Sequence, residues 1–120
     1  MAHDEARLGR LTLHVQPNAW FHVMGDHAVT FSVLPIAPDQ TVVRTTWLVH
    51  PDAVEGRDYD LDTLTTVWKR TNDQDRVFVA RAHRGVSDPD YVPGPYLPSE
   101  YQVDAFCTWY TTRLTEYQQR

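Results

Sequence analysis

The chain has 120 residues, a net charge of −5 and a hydrophobic fraction of 42%, with a single cysteine. This length suits one small domain or a part of a larger one. The acidic balance and the scatter of Lys and Arg argue against a nucleic acid or an anionic membrane as partner. One cysteine excludes an internal disulfide and a cysteine-cluster metal site.

No apolar run approaches the roughly 18 residues needed to span a bilayer. The amino terminus lacks the basic-then-apolar pattern of a signal peptide. We therefore expect a cytoplasmic protein without a membrane partner.

Four segments in the first half show the period-two alternation and β-branched composition of strands. The first segment begins at Leu11, and the other three occupy residues 20–24, 28–34 and 41–50. In the first strand, the side chains that share one face are Leu11, Leu13 and Val15. Gly25-Asp26 and Pro38-Asp39 have the composition of tight turns. The sequence predicts a four-stranded antiparallel meander.

The second half is predicted to be helical on either side of a proline-rich loop. A polar linker, residues 51–60, precedes a helix from Leu61 to about Arg84, which Gly85 is placed to end. Acidic residues at its start favour the helix dipole; they are Asp58, Asp60 and Asp62. Residues 86–98 carry four prolines, and Ser99 with Gln102 forms a capping box for a second helix. The fold class is therefore α+β, with sheet first and helices after.

Each helix carries a predicted buried stripe. The first stripe contains Leu61, Leu64, Trp68, Val79 and Ala82, and the second contains Val103, Phe106, Tyr110, Leu114 and Tyr117. At about 100° per residue, Asp75 falls in the middle of the first stripe. A carboxylate turned toward a core must be protonated, hydrogen-bonded, paired or bound to a metal. Asp75 is therefore either a structural aspartate or a metal ligand or catalytic acid.

Two histidines invite comparison with the facial triad of non-haem iron. His22 and His27, with Asp75, could supply two imidazoles and a carboxylate. Hairpin geometry weakens this interpretation, because it leaves His22 diagonal to His27 rather than aimed at a shared ion. The other histidines considered, His14, His50 and His83, have no partner at a diagnostic spacing.

The aromatic residues also allow two interpretations. They could wall a pocket for a cationic ligand, or they could pack in the core, which we favour; they are Trp20, Phe21, Trp47, Trp68 and Trp109. Cys107 lies within the second stripe and is predicted to be an inert core residue.

Many ordered motifs match one known family. They are Trp20-Phe21-His22, Gly25-Asp26-His27, Val33-Leu34-Pro35, Trp47-Leu48-Val49-His50-Pro51-Asp52-Ala53, Gly56-Arg57-Asp58-Tyr59-Asp60, Thr71-Asn72-Asp73-Gln74-Asp75, Arg84-Gly85, Pro93-Gly94-Pro95-Tyr96, Glu100, Phe106 and Trp109-Tyr110. Together they resemble the C-terminal part of the catalytic domain of Rieske non-haem iron oxygenase alpha subunits, the aromatic-ring-hydroxylating type. The resemblance covers about residues 10–117 and is strongest to the branch that acts on glycine betaine, stachydrine, choline and carnitine.

The resemblance implies a partial helix-grip (START/Bet v1-like) architecture, in which a curved antiparallel sheet wraps around a long helix. It also implies that Asp75 is the carboxylate ligand of the non-haem Fe(II). The family's [2Fe-2S] domain and its two iron-binding histidines precede the segment resembled here and have no counterpart in this chain. After Asp75 the family usually has a Glu and a Gln, where this chain has Ala80 and His83.

We expect residues 1–120 to be a single unit, the C-terminal portion of an oxygenase catalytic domain. The resemblance implies hydroxylation and N-demethylation of a quaternary amine such as glycine betaine, with a ferredoxin-type reductase and a homotrimeric assembly. The isolated chain is expected to be inactive. The alternatives are a standalone, non-catalytic helix-grip module for a small ligand, a split subunit completed by a partner chain, and a decayed fragment.

Overall fold

The computed structural model describes residues 9–120. The chain divides into two compact units, the first ending at Asp88 and the second running from Pro89 to Arg120. The first unit contains a sheet and a long helix, and the second contains the C-terminal helix. None of the helices in residues 9–120 combines the length and the apolarity that crossing a bilayer requires.

The sheet of the first unit is a meander of four strands. Its strands are β1 (Leu11–Val15), β2 (Ala19–Val23), β3 (His27–Ala37) and β4 (Gln40–Val49). Neighbours in the chain are neighbours in the sheet, and all three pairings are antiparallel. The predicted meander and the α+β class are therefore confirmed.

Short turns set the register of the strands. Gly25 and Asp26 connect β2 to β3, and the Met24 N–H donates to the His27 carbonyl at 2.9 Å. Pro38 and Asp39 connect β3 to β4, as predicted. The turn between β1 and β2 is held by β3, because the Asn18 side-chain amide donates to the Val33 carbonyl at 2.7 Å.

A structured loop leads from β4 to the long helix. Gly56 has φ +80°, a left-handed conformation that L side chains rarely adopt. The Asp58 carboxylate accepts from the Val54 N–H at 2.9 Å and pairs with the Arg57 guanidinium at 2.6 Å. The bonds from Arg57, and then the one from Val54, lower the pKa of Asp58.

The long helix, α1, spans Leu61–Val86. Asp60 caps it, because its carboxylate accepts from the Thr63 N–H at 2.8 Å and from the Thr63 hydroxyl at 2.7 Å. These two bonds lower the pKa of Asp60. Gly85 does not end the helix as predicted; α1 continues to Val86, and the Ser87 N–H closes its last turn on the His83 carbonyl.

The first half of α1 packs on the sheet. Val29 on β3 is fully buried, and Thr65 on α1 is 4% exposed. The Trp68 ring lies 4.9 Å from the Phe31 ring, measured between centroids. One turn further on, the Asn72 side-chain amide donates to the Thr45 hydroxyl on β4 at 2.8 Å. The small core of this unit therefore lies between the middle of the sheet and the first three turns of α1.

The second half of α1 does not follow the prediction. The expected buried stripe is wrong beyond Asn72, since all residues from 73 to 86 are exposed; Val79 is 62% exposed and Ala82 is also exposed. Leu61, at the other end of the stripe, is 46% exposed. Helical periodicity selects a direction around the axis, whereas burial requires another element in that direction. The four described strands cover this side of α1 only as far as Asn72.

Strand register also fixes which side of the sheet α1 covers. Trp68 contacts the rings of His22 and Phe31, so the covered side carries the residues in register with them. This side carries Thr12, His14, Trp20, His22, His27, Val29, Phe31, Val33, Pro35, Thr41, Val43, Thr45, Trp47 and Val49. The opposite side carries Leu11, Leu13, Val15, Ala19, Phe21, Val23, Ala28, Thr30, Ser32, Leu34, Val42, Arg44, Thr46 and Leu48. The more aliphatic side of the sheet therefore faces away from α1.

The second unit is a helix with a short 3-10 turn before it. The 3-10 turn spans Pro98–Glu100 and the helix, α2, spans Tyr101–Gln118. The predicted Ser99 capping box is wrong, because the Glu100 carboxylate accepts from the Leu97 N–H at 2.7 Å instead. The predicted buried stripe is also wrong: Phe106 is half-buried, and the exposed members are Val103, Tyr110, Leu114 and Tyr117.

Candidate functional site

Asp75 lies in the second half of α1, where residues 73–86 are all exposed. It follows Trp68 by seven residues and Asn72 by three, so it points to the same side of the helix as these two sheet-facing residues. Its side chain is nevertheless exposed, one turn beyond the Asn72–Thr45 bond. The expectation that Asp75 is turned into a core is therefore wrong for this chain, because no described strand extends over that turn.

The structure surrounds His22 with aromatic rings rather than with ligands. Its imidazole lies 4.8 Å from the Trp68 ring and 5.6 Å from the Phe31 ring, and its Nδ1 is 3.4 Å from the Thr12 hydroxyl. Loss of water around the ring, and then the charge of Arg10, lower the pKa of His22. Both effects favour the neutral form of the His22 imidazole on the covered side of the sheet.

Two other histidines of this unit, His27 and His50, lie beside neighbouring carboxylates. His27 Nδ1 lies 2.8 Å from the Asp26 carboxylate, and this hydrogen bond lowers the pKa of Asp26. His50 Nδ1 lies 3.7 Å from the Asp52 carboxylate. Within residues 9–120, no group of three or more His, Cys, Asp or Glu side chains could hold a metal ion. The structure therefore does not assemble His22 and His27 with Asp75 into a facial triad.

The described aromatic side chains of the first unit pack against one another and do not line a cavity between them. Trp68, Phe31 and His22 contact one another, and Trp20 stacks on His14 with 4.8 Å between ring centroids. This supports the core-packing interpretation over a cationic pocket at these rings. The Trp47 indole N–H is buried and has no acceptor among the described residues. Because it is a donor, it cannot ligate a cation.

A groove of about 380 Å³ lies at the end of the sheet where α1 begins. Its polar and charged lining consists of Asp26, His27, His50, Asp52, Arg57, Asp58 and Tyr59. Leu64 marks its border on α1, eleven residues before Asp75. An α-helix rises about 1.5 Å per residue, so the groove and Asp75 are separated by roughly 16 Å along the helix axis. They are separate features of the unit.

In the second unit, Cys107 is half-buried and its thiol lies 3.4 Å from the Tyr96 hydroxyl. The hydrogen bond to Cys107 raises the pKa of Tyr96. Phe106 contacts the rings of Trp109 and Tyr110 along α2. Trp109 therefore packs within its own helix, and Cys107 is less buried than predicted.

Asn72 entered the sequence interpretation only as a member of the motif Thr71-Asn72-Asp73-Gln74-Asp75, without a structural role of its own. It lies between Trp68 and Asp75 on the same side of α1, and its bond to Thr45 fixes the helix to β4. The available signal was its seven-residue spacing from Thr65, the buried residue of α1, which places both on one side of the helix. Asn72 therefore positions the turn that carries Asp75.

Comparison with known proteins identifies the class. The family model for the ring hydroxylating alpha subunit (catalytic domain) matches residues 2–116, nearly the whole chain. The chain therefore belongs to the ring-hydroxylating oxygenase alpha subunit family and matches its catalytic domain. This confirms the family resemblance expected from the ordered motifs.

Particular relatives narrow this assignment. The chain is 49% identical over 108 residues to the glycine betaine monooxygenase oxygenase subunit of Chromohalobacter salexigens, covering 89% of this chain and 24% of that protein. It is 46% identical over 108 residues to the glycine betaine monooxygenase oxygenase subunit of Pseudomonas aeruginosa, covering 89% of this chain and 25% of that protein. The chain thus spans about a quarter of the length of the curated relatives it matches.

The described residues fit an iron centre only as the source of one ligand. An exposed carboxylate is a suitable hard ligand for iron(II) and remains accessible to groups supplied by other polypeptide. No second or third ligand lies with it in residues 9–120. A mononuclear iron site that includes Asp75 therefore needs residues from outside the described part of the chain.

Proposed function

We propose that this chain forms part of the catalytic domain of a Rieske-type oxygenase, in which Asp75 is one ligand of the non-haem iron(II). The family match over residues 2–116 carries the proposal. The position of Asp75 on an uncovered turn of α1 supports it, because a carboxylate there can meet two histidines from another segment. Bound iron(II) would supply the site at which dioxygen is activated.

The proposed substrate is a quaternary amine of the glycine betaine type. The names of the relatives, which are glycine betaine monooxygenase oxygenase subunits, support this choice. Hydroxylation of an N-methyl carbon consumes one dioxygen, two electrons and two protons and releases one water. The C–N bond to the resulting N-hydroxymethyl group then breaks, its electron pair stays on nitrogen, and formaldehyde and one proton are released, so the amine loses one methyl group.

The proposal includes partners that this chain does not contain. A [2Fe-2S] Rieske cluster would supply electrons from a ferredoxin-type reductase, and the complete enzyme would be a homotrimer in the cytoplasm. In this arrangement residues 1–120 are the C-terminal portion of the catalytic domain. The chain by itself contributes the carboxylate of Asp75 and the helix that positions it.

A chimera tests the role of Asp75. In it, residues of this chain replace the matching quarter of the Chromohalobacter salexigens subunit, and iron content and betaine demethylation are measured. We expect Asp75→Asn to remove bound iron and to lower demethylation at least about 100-fold, because losing an outer partner of a metal ligand already costs roughly 10–100-fold and Asp75 is proposed as a ligand itself. Asp73→Asn is the matched control, since Asp73 is exposed on the same helix and only distantly paired with Arg76 at 3.9 Å.

An Asp75→Asn chimera that retains stoichiometric iron and full turnover would contradict the assignment. Equal losses in Asp73→Asn and Asp75→Asn would also contradict it, because they would indicate a general effect on α1.

The alternative of a non-catalytic binding module makes a different prediction. Such a module would bind betaine saturably without iron, and calorimetric titration of the isolated chain measures this. If the groove near Leu64 held the ligand, Asp75→Asn would leave betaine affinity unchanged, because roughly 16 Å of helix separates the two. Under the oxygenase proposal, the isolated chain shows no saturable binding.

A further inference from the structure

The sheet of the first unit has an unusual distribution of polarity between its two sides. The side covered by α1 carries imidazole and hydroxyl groups as well as aromatic rings, for example His14, His22 and Thr45. The opposite side, here called the outer face, consists of the residues directed away from α1; its large apolar members are Leu11, Leu13, Val15, Phe21, Val23, Leu34, Val42 and Leu48. A sheet normally buries its more apolar side.

The outer face is both exposed and almost uncharged. Leu11 is 55% exposed, Leu13 is 45% exposed and Leu48 is 51% exposed. Among the described strand residues directed this way, from Leu11 to Val23 and across the paired parts of β3 and β4, Arg44 is the one charged side chain. Row by row, Leu11, Val23, Ala28 and Leu48 lie side by side across all four strands. The next two rows have Thr30, Thr46 and Ser32 beside Arg44 on β3 and β4. The apolar surface is therefore contiguous along β1 and β2 and across the row from Leu11 to Leu48, rather than a scatter of single apolar residues.

Composition indicates the kind of contact that covers such a surface. Transient interfaces are about as polar as the rest of a protein surface, whereas permanent interfaces resemble a core and lack charge. The outer face is of the second kind. Its occupant should therefore be a permanent neighbour that presents uncharged aliphatic side chains.

We propose that the outer face is covered by oxygenase-subunit polypeptide that, in the relatives, lies outside the quarter matched by this chain. This inference depends on the proposed function and adds a second contact surface, separate from the turn that carries Asp75. The length of the relatives supports this occupant, since about three quarters of each lies beyond the matched segment. The outer face and the exposed second half of α1, residues 73–86, are then the two surfaces by which the chain contacts that polypeptide.

The test compares one substitution in two settings. Leu13→Glu is made in the isolated chain and in the chimera with the Chromohalobacter salexigens subunit, and thermal unfolding is measured in both. Because Leu13 is exposed in the isolated chain, we expect the melting temperature there to change by no more than about 1 °C. In the chimera the charge would be buried, and the melting temperature should fall by roughly 5 °C or more.

Further variants make the comparison specific. Leu48→Glu places a charge at the opposite edge of the outer face and should repeat the Leu13→Glu result. Gln16→Glu, in the exposed turn after β1, adds a similar charge outside the face and should be neutral in both settings. A chimera that folds and demethylates betaine, yet is unaffected by Leu13→Glu and Leu48→Glu, would overturn the surface assignment and leave the proposed function standing.

Self-association gives the other decisive result. If the isolated chain forms a dimer in sedimentation experiments and Leu13→Glu dissociates it, the outer face binds a second copy and the proposal is overturned. A chimera with unsubstituted residues that does not fold would count against the proposed function itself, and the surface assignment would fail with it.

Discussion

His22 is a polar residue that nevertheless packs against aromatic rings between the sheet and α1. Its imidazole contacts the rings of both Trp68 and Phe31, and its pKa is below the ordinary value of 6.5. The unfolded chain therefore binds a proton more readily than the folded one. Stability from this group is fully present above pH 6.5 and is lost as the pH falls through the lower folded pKa.

We accordingly expect the free energy of unfolding to fall between pH 7.5 and pH 5 in urea titrations, above the range where carboxylates protonate. His22→Gln should reduce this pH dependence, because it removes the group whose pKa folding lowers. An NMR titration that places the His22 pKa above 6.5 would contradict this explanation.

The Asp60 cap of α1 contributes stability that depends on pH in the acidic range, below that of His22. Its bonds to Thr63 lower its pKa from 3.8, so its contribution is present above that value and is lost as the pH falls through the lowered folded pKa. Asp60→Ala removes the cap of α1 and should lower the melting temperature by roughly 4 °C. Asp62→Ala, which lacks the capping bond, should have a clearly smaller effect; equal effects would show that the cap is unimportant.

Asp75 marks the limit of what residue patterns could predict about the site. Spacing correctly placed it on the same side of α1 as Trp68, and the ordered motifs indicated its family. Its exposure could not be predicted, because the stripe gives no information about how far the sheet extends. The metal-ligand role of Asp75 stays a prediction.

At the scale of elements, the strands and their turns were predictable because alternation and turn composition are local properties. The start of β1 at Leu11 and the two tight turns agree with the sequence interpretation. Alternation could not reveal that Leu11, Leu13 and Val15 face away from α1, since it separates two faces without assigning either to a neighbour. The stripe of α2 failed for the same reason as the end of α1, because amphipathic spacing needs a partner element to become burial.

Packing of α1 on the sheet depends on Trp68 in particular. Its ring contacts both His22 and Phe31, and no other α1 side chain makes ring contacts with the sheet within residues 9–120. Trp68→Ala should therefore destabilise the first unit by about 2 kcal/mol, less than for a fully buried Trp because the side chain is half-buried.

Val67→Ala is the matched control, since Val67 is the adjacent residue and is 65% exposed. Its effect should stay within about 0.5 kcal/mol. Chemical denaturation measures both values. A Trp68→Ala variant as stable as Val67→Ala would show that α1 is not held by this contact.

At the scale of the whole molecule, the described residues bury little. Val29 is the one buried hydrophobic residue in residues 9–120, and the outer face of the sheet and the second half of α1 are exposed. The proposed function accounts for such surfaces, because the matched relatives extend well beyond the quarter that this chain covers. Both surfaces are explained if the chain acts within a larger oxygenase catalytic domain.

The amount of iron bound per chain, measured by equilibrium dialysis with metal analysis, tests this account most directly. We predict no stoichiometric iron on the isolated chain, since Asp75 is a single ligand, and about one tightly held iron per catalytic domain in the chimera. One tightly bound iron on the isolated chain, or none in a folded chimera, would contradict it.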